Sequence, residues 1–408
     1  MKYIEKLLNG AEVQWMPLGE VFETRNGYTP SKANNDFWTN GDIPWFRMED
    51  IRDSGRLLND SIQHITPQAI KGKGLFRANS IIMATTATIG EHALLLVDAL
   101  ANQQFTNFQI RKSLSERISP MFAFYYFFVL GEWCKSNVNT SSFPSVDMAR
   151  LMKQLFPIPP LAVQEEIVRI LDKFTTLEAE LEAELDCRKR QYEYYRNQLL
   201  SLDVITSKGN LNNVEVMTLG EIGTFVRGSG LQKKDFTPSG VGCIHYGQIY
   251  TYYGTCADKT KSFVSYEFAQ KARKAKTGDL IIATTSENDD DVCKAVVWLG
   301  DDEIAVSSDA CFYTHKMNPK YVAYYFQTDS FQKQKRSFIT GTKVRRVNAT
   351  DLAKIKIPIP PLAEQQRIVS ILDKFEALTT SISEGLPKEI ELRRKQYEYY
   401  RNQLLSFA

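Results

Sequence analysis

The side chains in this chain best suited to reading bases and holding phosphates fall in short polar loops, not on one basic surface. In the first half they are Arg25, Asn26, Tyr28, Thr29, Ser31 and Lys32 of RNGYTPSK, Trp45 and Arg47 of WFRMED, Lys71, Lys73 and Arg77 of KGKGLFR, the pair Gln103 and Gln104, and Ser142. In the second half they are Arg227, Ser229, Lys233 and Lys234 of RGSGLQKK, His245, Tyr246, Gln248 and Tyr250 of HYGQIYTYY, Thr285 and Ser286, and Thr342, Lys343, Arg345 and Arg346 of TGTKVRR. Arginine matches the acceptor edge of guanine, and Asn or Gln matches adenine. Lys, Thr and glycine amides suit phosphates. These residues are therefore the expected DNA contacts. A lone surface Lys or Arg is usually only solvated. TGTKVRR is the stronger signal because it occupies the place in the second half that residues 140–146 occupy in the first.

Other clusters invite enzyme chemistry and fall short of it. No GxxxxGK[ST] loop is present to cradle a nucleotide. Asn318-Pro319-Lys320-Tyr321 imitates the NPPY box of amino-methyltransferases, but Lys stands at the second Pro and no glycine-rich cofactor loop accompanies it. The acidic run ENDDD at 287–291, followed by Lys294, suggests a metal nuclease. The other half has TIGEH at that place, and a catalytic site is not expected to vanish from one of two twins. Four histidines (64, 92, 245, 315) and six cysteines (134, 187, 243, 256, 293, 311) show no metal-ligand or disulfide spacing, so reduced thiols and no metal are expected.

The elements that must carry these loops occur twice. PIPPLA stands at 157–162 and 358–363, and ILDKF at 170–174 and 371–375, both offset by 201. QYEYYRNQLLS runs from 191 to 201 and again from 396 to 406. LGE at 18–20 and 219–221, ATT at 84–86 and 283–285, and YY at 125–126 and 324–325 recur in the same order. An internal period of this length outweighs any short motif. It divides the chain into a helix tail at 1–11, a recognition domain at 12–157, a spacer helix at 158–202, a second recognition domain at 203–357 and a second spacer helix at 358–408. The expected fold is α+β: two α/β domains in pseudo-twofold tandem repeat, separated by two long antiparallel coiled-coil helices.

Proline in PIPP sets the helix start near Leu161. The apolar seam then runs Ile167, Ile170, Phe174, Leu177, Leu181, Leu185, Tyr192, Tyr195, Leu199, Leu202. Its single extra step of four falls in EAEL, written twice at 178–185. The second copy carries Gly385 and Pro387, which should kink or break it. Two seams in one chain are most simply each other's partner. Within the domains, strands are expected at 81–83, 94–97, 108–110, 280–282 and 296–299, and short apolar helices at 121–130 and 321–327.

Lys+Arg against Asp+Glu is 14 to 14 over 12–157, 6 to 9 over 158–202 and 21 to 17 over 203–357, which excludes a nonspecific DNA coater and leaves only local contacts. No stretch is long and apolar enough to span a membrane, and MKYIEKLLNG lacks a signal-peptide core, so a cytoplasmic protein is expected.

LGE, a G-x-TPSK loop, IPWF-x-x-x-DI, IP-x-PPLA-x-Q-x-x-I-V-x-ILDKF and a long helix ending QYEYYRNQLLS together resemble the specificity subunit of type I restriction–modification enzymes. The resemblance covers essentially the whole chain. The EAEL doublet and EGLP-x-EIELR-x-KQYEYYR are similar to the IC subfamily. RGSGLQKK and CIHYGQIY in the second domain differ from their counterparts in the first, which implies that the halves read different sequences. The resemblance implies a non-catalytic subunit whose two domains each read one half of an asymmetric, split site on double-stranded DNA. It implies two modification subunits, binding S-adenosylmethionine, and two restriction subunits, using ATP and Mg²⁺, with no cofactor in this chain. Docking is expected on the repeated helices, through Leu161, Ile167, Leu171, Tyr192, Tyr195 and Arg196 and through Leu362, Ile368, Leu372, Tyr397, Tyr400 and Arg401. The rival readings are a stand-alone coiled-coil scaffold and a DNA adenine methyltransferase in its own right.

Overall fold

The computed structural model describes residues 3–139, 144–208, 214–381 and 383–407. The chain divides into two compact units, Met1–Glu180 with Glu391–Ala408, and Leu181–Ile390. Each spacer helix is thus shared: its two ends belong to different units.

In the first unit a five-stranded sheet runs in the order Phe22–Asn26, Phe105–Ile110, Ile81–Ala84, His92–Leu95, Leu57–Leu58. The pairs are antiparallel except the last, which is parallel. The second unit repeats the order and the senses with Gly223–Arg227, Ala310–His315, Leu280–Ala283, Ala295–Trp298 and Cys256–Ala257. Each central strand is buried on both faces, so its sequence is a continuous apolar run. Successive side chains still alternate. Ile81 and Met83 join the core under the helices, while Ile82 and Ala84 join a second core beneath a smaller sheet. Leu280 and Ile282, and Ile281 and Ala283, divide in the same way.

That smaller sheet is where the units differ. The first has three strands, His64–Ile65, Ile43–Phe46 and Leu100–Ala101. The second has five, with Phe236–Thr237 and Lys274–Ala275 added at the edges. The expected strand at 94–97 lies two residues earlier, at His92–Leu95, because Leu96 has turned to solvent.

Ser119 caps the helix Pro120–Ser136, its hydroxyl accepting from the Phe122 amide, with Pro120 in the first turn. This helix runs six residues beyond the expected end at 130. Its counterpart breaks in two, Pro319–Phe326 and Asp329–Arg336, where Thr328 caps a new helix.

The first spacer helix is continuous over Leu161–Leu199. The second is split into Leu362–Thr380 and Gly385–Leu405, as Gly385 and Pro387 foretold. Gly385 has φ +78°, and a Cβ there would lie 2.5 Å from the Ala377 carbonyl oxygen. Within the first unit the helices run antiparallel: Phe174 stacks on Tyr400 and meets Tyr397, while Glu178, one turn later, binds Arg394, two turns earlier. In the second unit Phe375 stacks on Tyr192 and Tyr195, and Leu200 shares a core with Ile368. The seam is less buried than expected, with Tyr195 and Leu202 each 40% exposed. Leu177 is 43% exposed, whereas Leu171, outside the expected seam, is fully buried against the first domain. A helix that also packs on a domain has a wider apolar face than a two-helix seam requires. In the second copy, where the seam is expected at Ile368, Ile371, Phe375, Leu378, Ile382, Leu386, Ile390, Tyr397, Tyr400, Leu404 and Phe407, Ile382 lies outside the described residues.

A buried glutamine fixes each helix entry. Gln164 accepts from the Ser119 amide and donates to the Pro159 and Arg117 carbonyls; Gln365 accepts from the Asn318 amide and donates to the Pro360 carbonyl. These are the Q of PLA-x-Q in each copy, and they tie helix start to domain helix start.

Candidate nucleic-acid interface

In each unit three loops and a hairpin meet at one end of the large sheet. The loop leaving Phe22–Asn26 crosses the chain at Ala101-Asn102 so closely that a Cβ on Gly27 would lie 2.2 Å from the Asn102 carbonyl oxygen and 2.4 Å from that of Ala101. Gly228 meets Ser307 and Val306 at the same 2.2 and 2.4 Å. Only glycine fits such a crossing. The ATT loop then pairs with the hairpin. The Thr85 carbonyl accepts from the Val146 amide and Thr86 bridges Ser145; the Thr284 carbonyl accepts from Val347 and Thr285 pairs with Arg346. Val146 thus matches Val347 and Ser145 matches Arg346, one residue out of step with the expected match of TGTKVRR to residues 140–146; Ser142 itself lies outside the described residues.

The register equates residues across the two clefts. Asn26 corresponds to Arg227, Gln104 to Asp309, Thr86 to Thr285 and Ser145 to Arg346. In the second unit these groups line a cavity of about 150 Å³ that brings Arg227, Thr285 and Arg346 together with Ser308, Asp309 and Asn348. In the first unit Thr106 donates to Asn26 Oδ1 at 3.0 Å and meets the Thr85 hydroxyl at 3.0 Å.

Several expected contacts are structural instead. Trp45 is 2% exposed and donates its indole N–H to the Tyr28 carbonyl, so it belongs to the core. Tyr28 spends its hydroxyl on the Ala69 carbonyl and the Lys71 amide, pinning the KGKG loop beside the RNGYT loop. Gln248 accepts from the His245 amide and donates to Ser262, and Tyr250 donates to the Thr285 carbonyl. Thr285 is buried. Ser229 accepts from the Arg273 amide. His245 caps the helix Tyr246–Thr251 by accepting from Gly247 at Nδ1, which requires a neutral ring; burial, and then the nearby Lys233 cation, push its pKa down. Arg25 lies over the Phe76 ring and Arg47 over Trp45. Arg77 pairs with Asp98 and Arg345 with Asp289.

The residues left presenting polar atoms at the surface are Asn26, Ser31, Lys32, Lys71, Lys73, Gln103 and, beside its pair with Asp98, Arg77 in the first unit. In the second they are Arg227, Lys233, Lys234, Thr342, Lys343 and Arg346. Thr29 donates to Gln103 at 2.5 Å, joining two of these loops; Gln104, Tyr246 and Ser286 are half-buried at their edges. Sequence reasoning missed Asp309 and Arg273. Arg273 is exposed and donates to the Arg227 carbonyl; the basic run KARKAK at 271–276 was its signal. Asp309 had none, since only its pairing beside Arg227 brings it to the cleft.

Part of the acidic run meets cations from the same domain. Asp289 pairs with Arg345, Asp290 lies 3.9 Å from Arg336, and the buried Lys335 ammonium donates to the carbonyls of Asp290 and Val292. Among the described residues no three His, Cys, Asp or Glu side chains are grouped to hold a metal.

The expected docking set also needs correction. Ile167, Leu171, Ile368 and Leu372 are fully buried and Tyr192 nearly so, because the helices pack on their own domains. Arg196 covers the Tyr192 ring and bonds Gln327; Arg401 covers the rings of Phe128 and Tyr397. Both arginines are half-buried, as are Tyr397 and Tyr400. Leu161, Leu362 and Tyr195 remain exposed, as do Tyr194 and Tyr399 of the same tyrosine-rich segments, 59% and 60% exposed.

The model of the type I restriction modification DNA specificity domain matches residues 11–186 and again 212–392. The chain belongs to the family of type I restriction-modification specificity subunits. It is 51% identical over 233 residues to the EcoprrI specificity subunit of Escherichia coli, a match spanning 54% of this chain and 57% of that one. It is 32% identical to the EcoR124I/EcoR124II specificity subunit of Escherichia coli over all of this chain and 97% of the other. Two solved structures share the fold at 16% identity. One comes from work on complex assembly and conformational transition of the type I R-M system, with TM-score 0.63 over 96% of this chain and 97% of that one. The other is the HsdS subunit of Thermoanaerobacter tengcongensis, with TM-score 0.54 over 97% of each. No helix among the described residues is long and apolar enough to cross a membrane.

Proposed function

We propose that this chain is a non-catalytic DNA-recognition subunit whose two domains each read one half of an asymmetric, bipartite target. The observation that carries this reading is the pair of equivalent clefts, built on the same Gly27 and Gly228 crossings but lined by unlike polar groups. Identical frames with different side chains suit two different base sequences. The spacer helices set the gap between half-sites. Two modification subunits, carrying S-adenosylmethionine, dock on the repeated helices, at surfaces that include Leu161 and Tyr400 in the first unit and Leu362 and Tyr195 in the second. Tyr399 belongs to the first of these surfaces and Tyr194 to the second. Two restriction subunits, using ATP and Mg²⁺, join through them.

Titrating the purified chain with S-adenosylmethionine, alone and after assembly with modification subunits, tests this. The expected outcome is binding and adenine methylation only in the assembly. Stoichiometric binding by the chain alone would instead make it a methyltransferase in its own right.

A further inference from the structure

The two clefts differ at three of the four equated positions, and the difference is one of charge. Asn26, Gln104 and Ser145 offer amides and a hydroxyl; Arg227, Asp309 and Arg346 offer two guanidiniums and a carboxylate. Arg227 is tethered through Nε to the Ser308 carbonyl at 2.9 Å, which holds its planar fork while both terminal nitrogens remain without a partner among the described residues. Arg346 is exposed, and its backbone is clamped on both sides by Thr340, whose amide and carbonyl each bond it at 2.9 Å. Asp309 forms no ion pair with either arginine, although all three line one cavity. Three charged groups that share one cavity with no ion pair among them are open to an external partner.

Resting on the reading of the clefts as DNA-recognition sites, we infer that the second domain's cleft reads a G·C pair in the major groove and the first domain's cleft an A·T pair. A held guanidinium presents two parallel donors matching guanine O6 and N7, and a carboxylate beside it accepts from cytosine N4. In the first cleft the Asn26 amide, oriented by Thr106, has donor and acceptor left to match adenine N7 and N6, and Gln104 offers the same pair. Charged groups carried by one cleft and absent from its twin are not required by the shared frame, so they are free to serve specificity.

The test is selection of bound duplexes from pools randomised in both half-sites, using the chain assembled with its modification subunits. The wild-type assembly, Arg346→Ser and the pair Arg227→Asn with Arg346→Ser are compared; both replacements are the first domain's own side chains at those positions. The expected result is a guanine required in one half-site by the wild type. Its preference should fall roughly 5- to 150-fold in the variants, with the other half-site unchanged. A uniform loss across all sequences with a shallower salt dependence would mean phosphate contacts only and overturn the inference. So would a second half-site specified only by A·T pairs. If the paired variant fails to assemble, Arg346→Ser alone decides, its melting temperature confirming the fold. No preference in either half-site by the wild type would defeat the recognition reading itself.

Discussion

The Tyr125 hydroxyl donates to the Asp172 carboxylate at 2.6 Å, tying the apolar helix of the first domain to the spacer helix. Tyr324 and Asp373 repeat the bond at 2.6 Å, so the YY and ILDKF motifs of the repeat are two ends of one fastening. Burial, and then the Asp172 carboxylate, push the Tyr125 phenol well above its ordinary range; burial, then Glu376 and Asp373, do the same to Tyr324, whose hydroxyl also meets Glu376 at 2.8 Å. Tyr125→Phe leaves a half-buried carboxylate without this donor and should cost about 1.5–3 kcal/mol. Tyr324→Phe should cost less, since Asp373 keeps the Lys320 ammonium at 2.8 Å. Urea unfolding of both variants checks this; an equal loss would show that Lys320 adds nothing.

Each domain draws one histidine away from solvent, His92 fully buried and His315 half-buried. His92 is packed among Phe124, Phe127 and Phe128, and burial, with the Arg56 cation second, holds its pKa down to about 3. Burial takes His315 to about 4. A depressed histidine is neutral in the fold and protonates near pH 6.5 once unfolded, so its stabilisation is complete above that value and declines as pH falls. Each should account for roughly 2 kcal/mol of lost stability between pH 8 and pH 5. His92→Phe should flatten its domain's share of that slope. The check is the urea midpoint at the two pH values, and an undiminished slope in the variant would contradict it.

The glycine crossings give a sharper local test. At Gly228 a methyl group would lie 2.2 Å from backbone oxygen, which no rotamer change relieves. Gly228→Ala should destabilise the second domain by about 2–4 kcal/mol and impair discrimination in one half-site only. Gly27→Ala should do the same to the other half. Melting curves and half-site selection on each variant decide; a shared loss in both half-sites would mean that the clefts do not act separately.

Much of this architecture is legible in the sequence. The repeat gave the domain order, the proline blocks gave the helix starts, and Gly385 with Pro387 gave the break. The buried strands were readable because Ile81-Ile82-Met83 and Leu280-Ile281-Ile282 are apolar on both faces. The site was less legible. Trp45, Tyr28 and Tyr250 have the chemistry of base contacts, but whether an aromatic faces solvent or a neighbouring carbonyl depends on packing between segments far apart in sequence. Leu171 and Ile167 were assigned to a partner for the same reason: a helix seam does not reveal that the helix's own domain covers it. Asp309 was invisible because only strand register sets it beside Arg227.

The EAEL doublet bears on spacing. The helix runs unbroken through it, with Leu181 and Leu185 half-buried. A third EAEL inserted after Leu185 adds one turn, about 6 Å. It should lengthen the unread gap by ~1–2 base pairs, with one favoured, and leave both half-site sequences unchanged. Methylation mapping reads the gap directly. An unchanged gap with full activity would make the doublet mere helix filler.

The central claim is that two domains on one chain read two unlike half-sites. Mapping methylated adenines across the genome of a host carrying this chain with its modification subunits tests it most directly. The account predicts one motif of two different specified segments, separated by a fixed run of unspecified bases. A single uninterrupted motif, or one whose halves are identical, would contradict it.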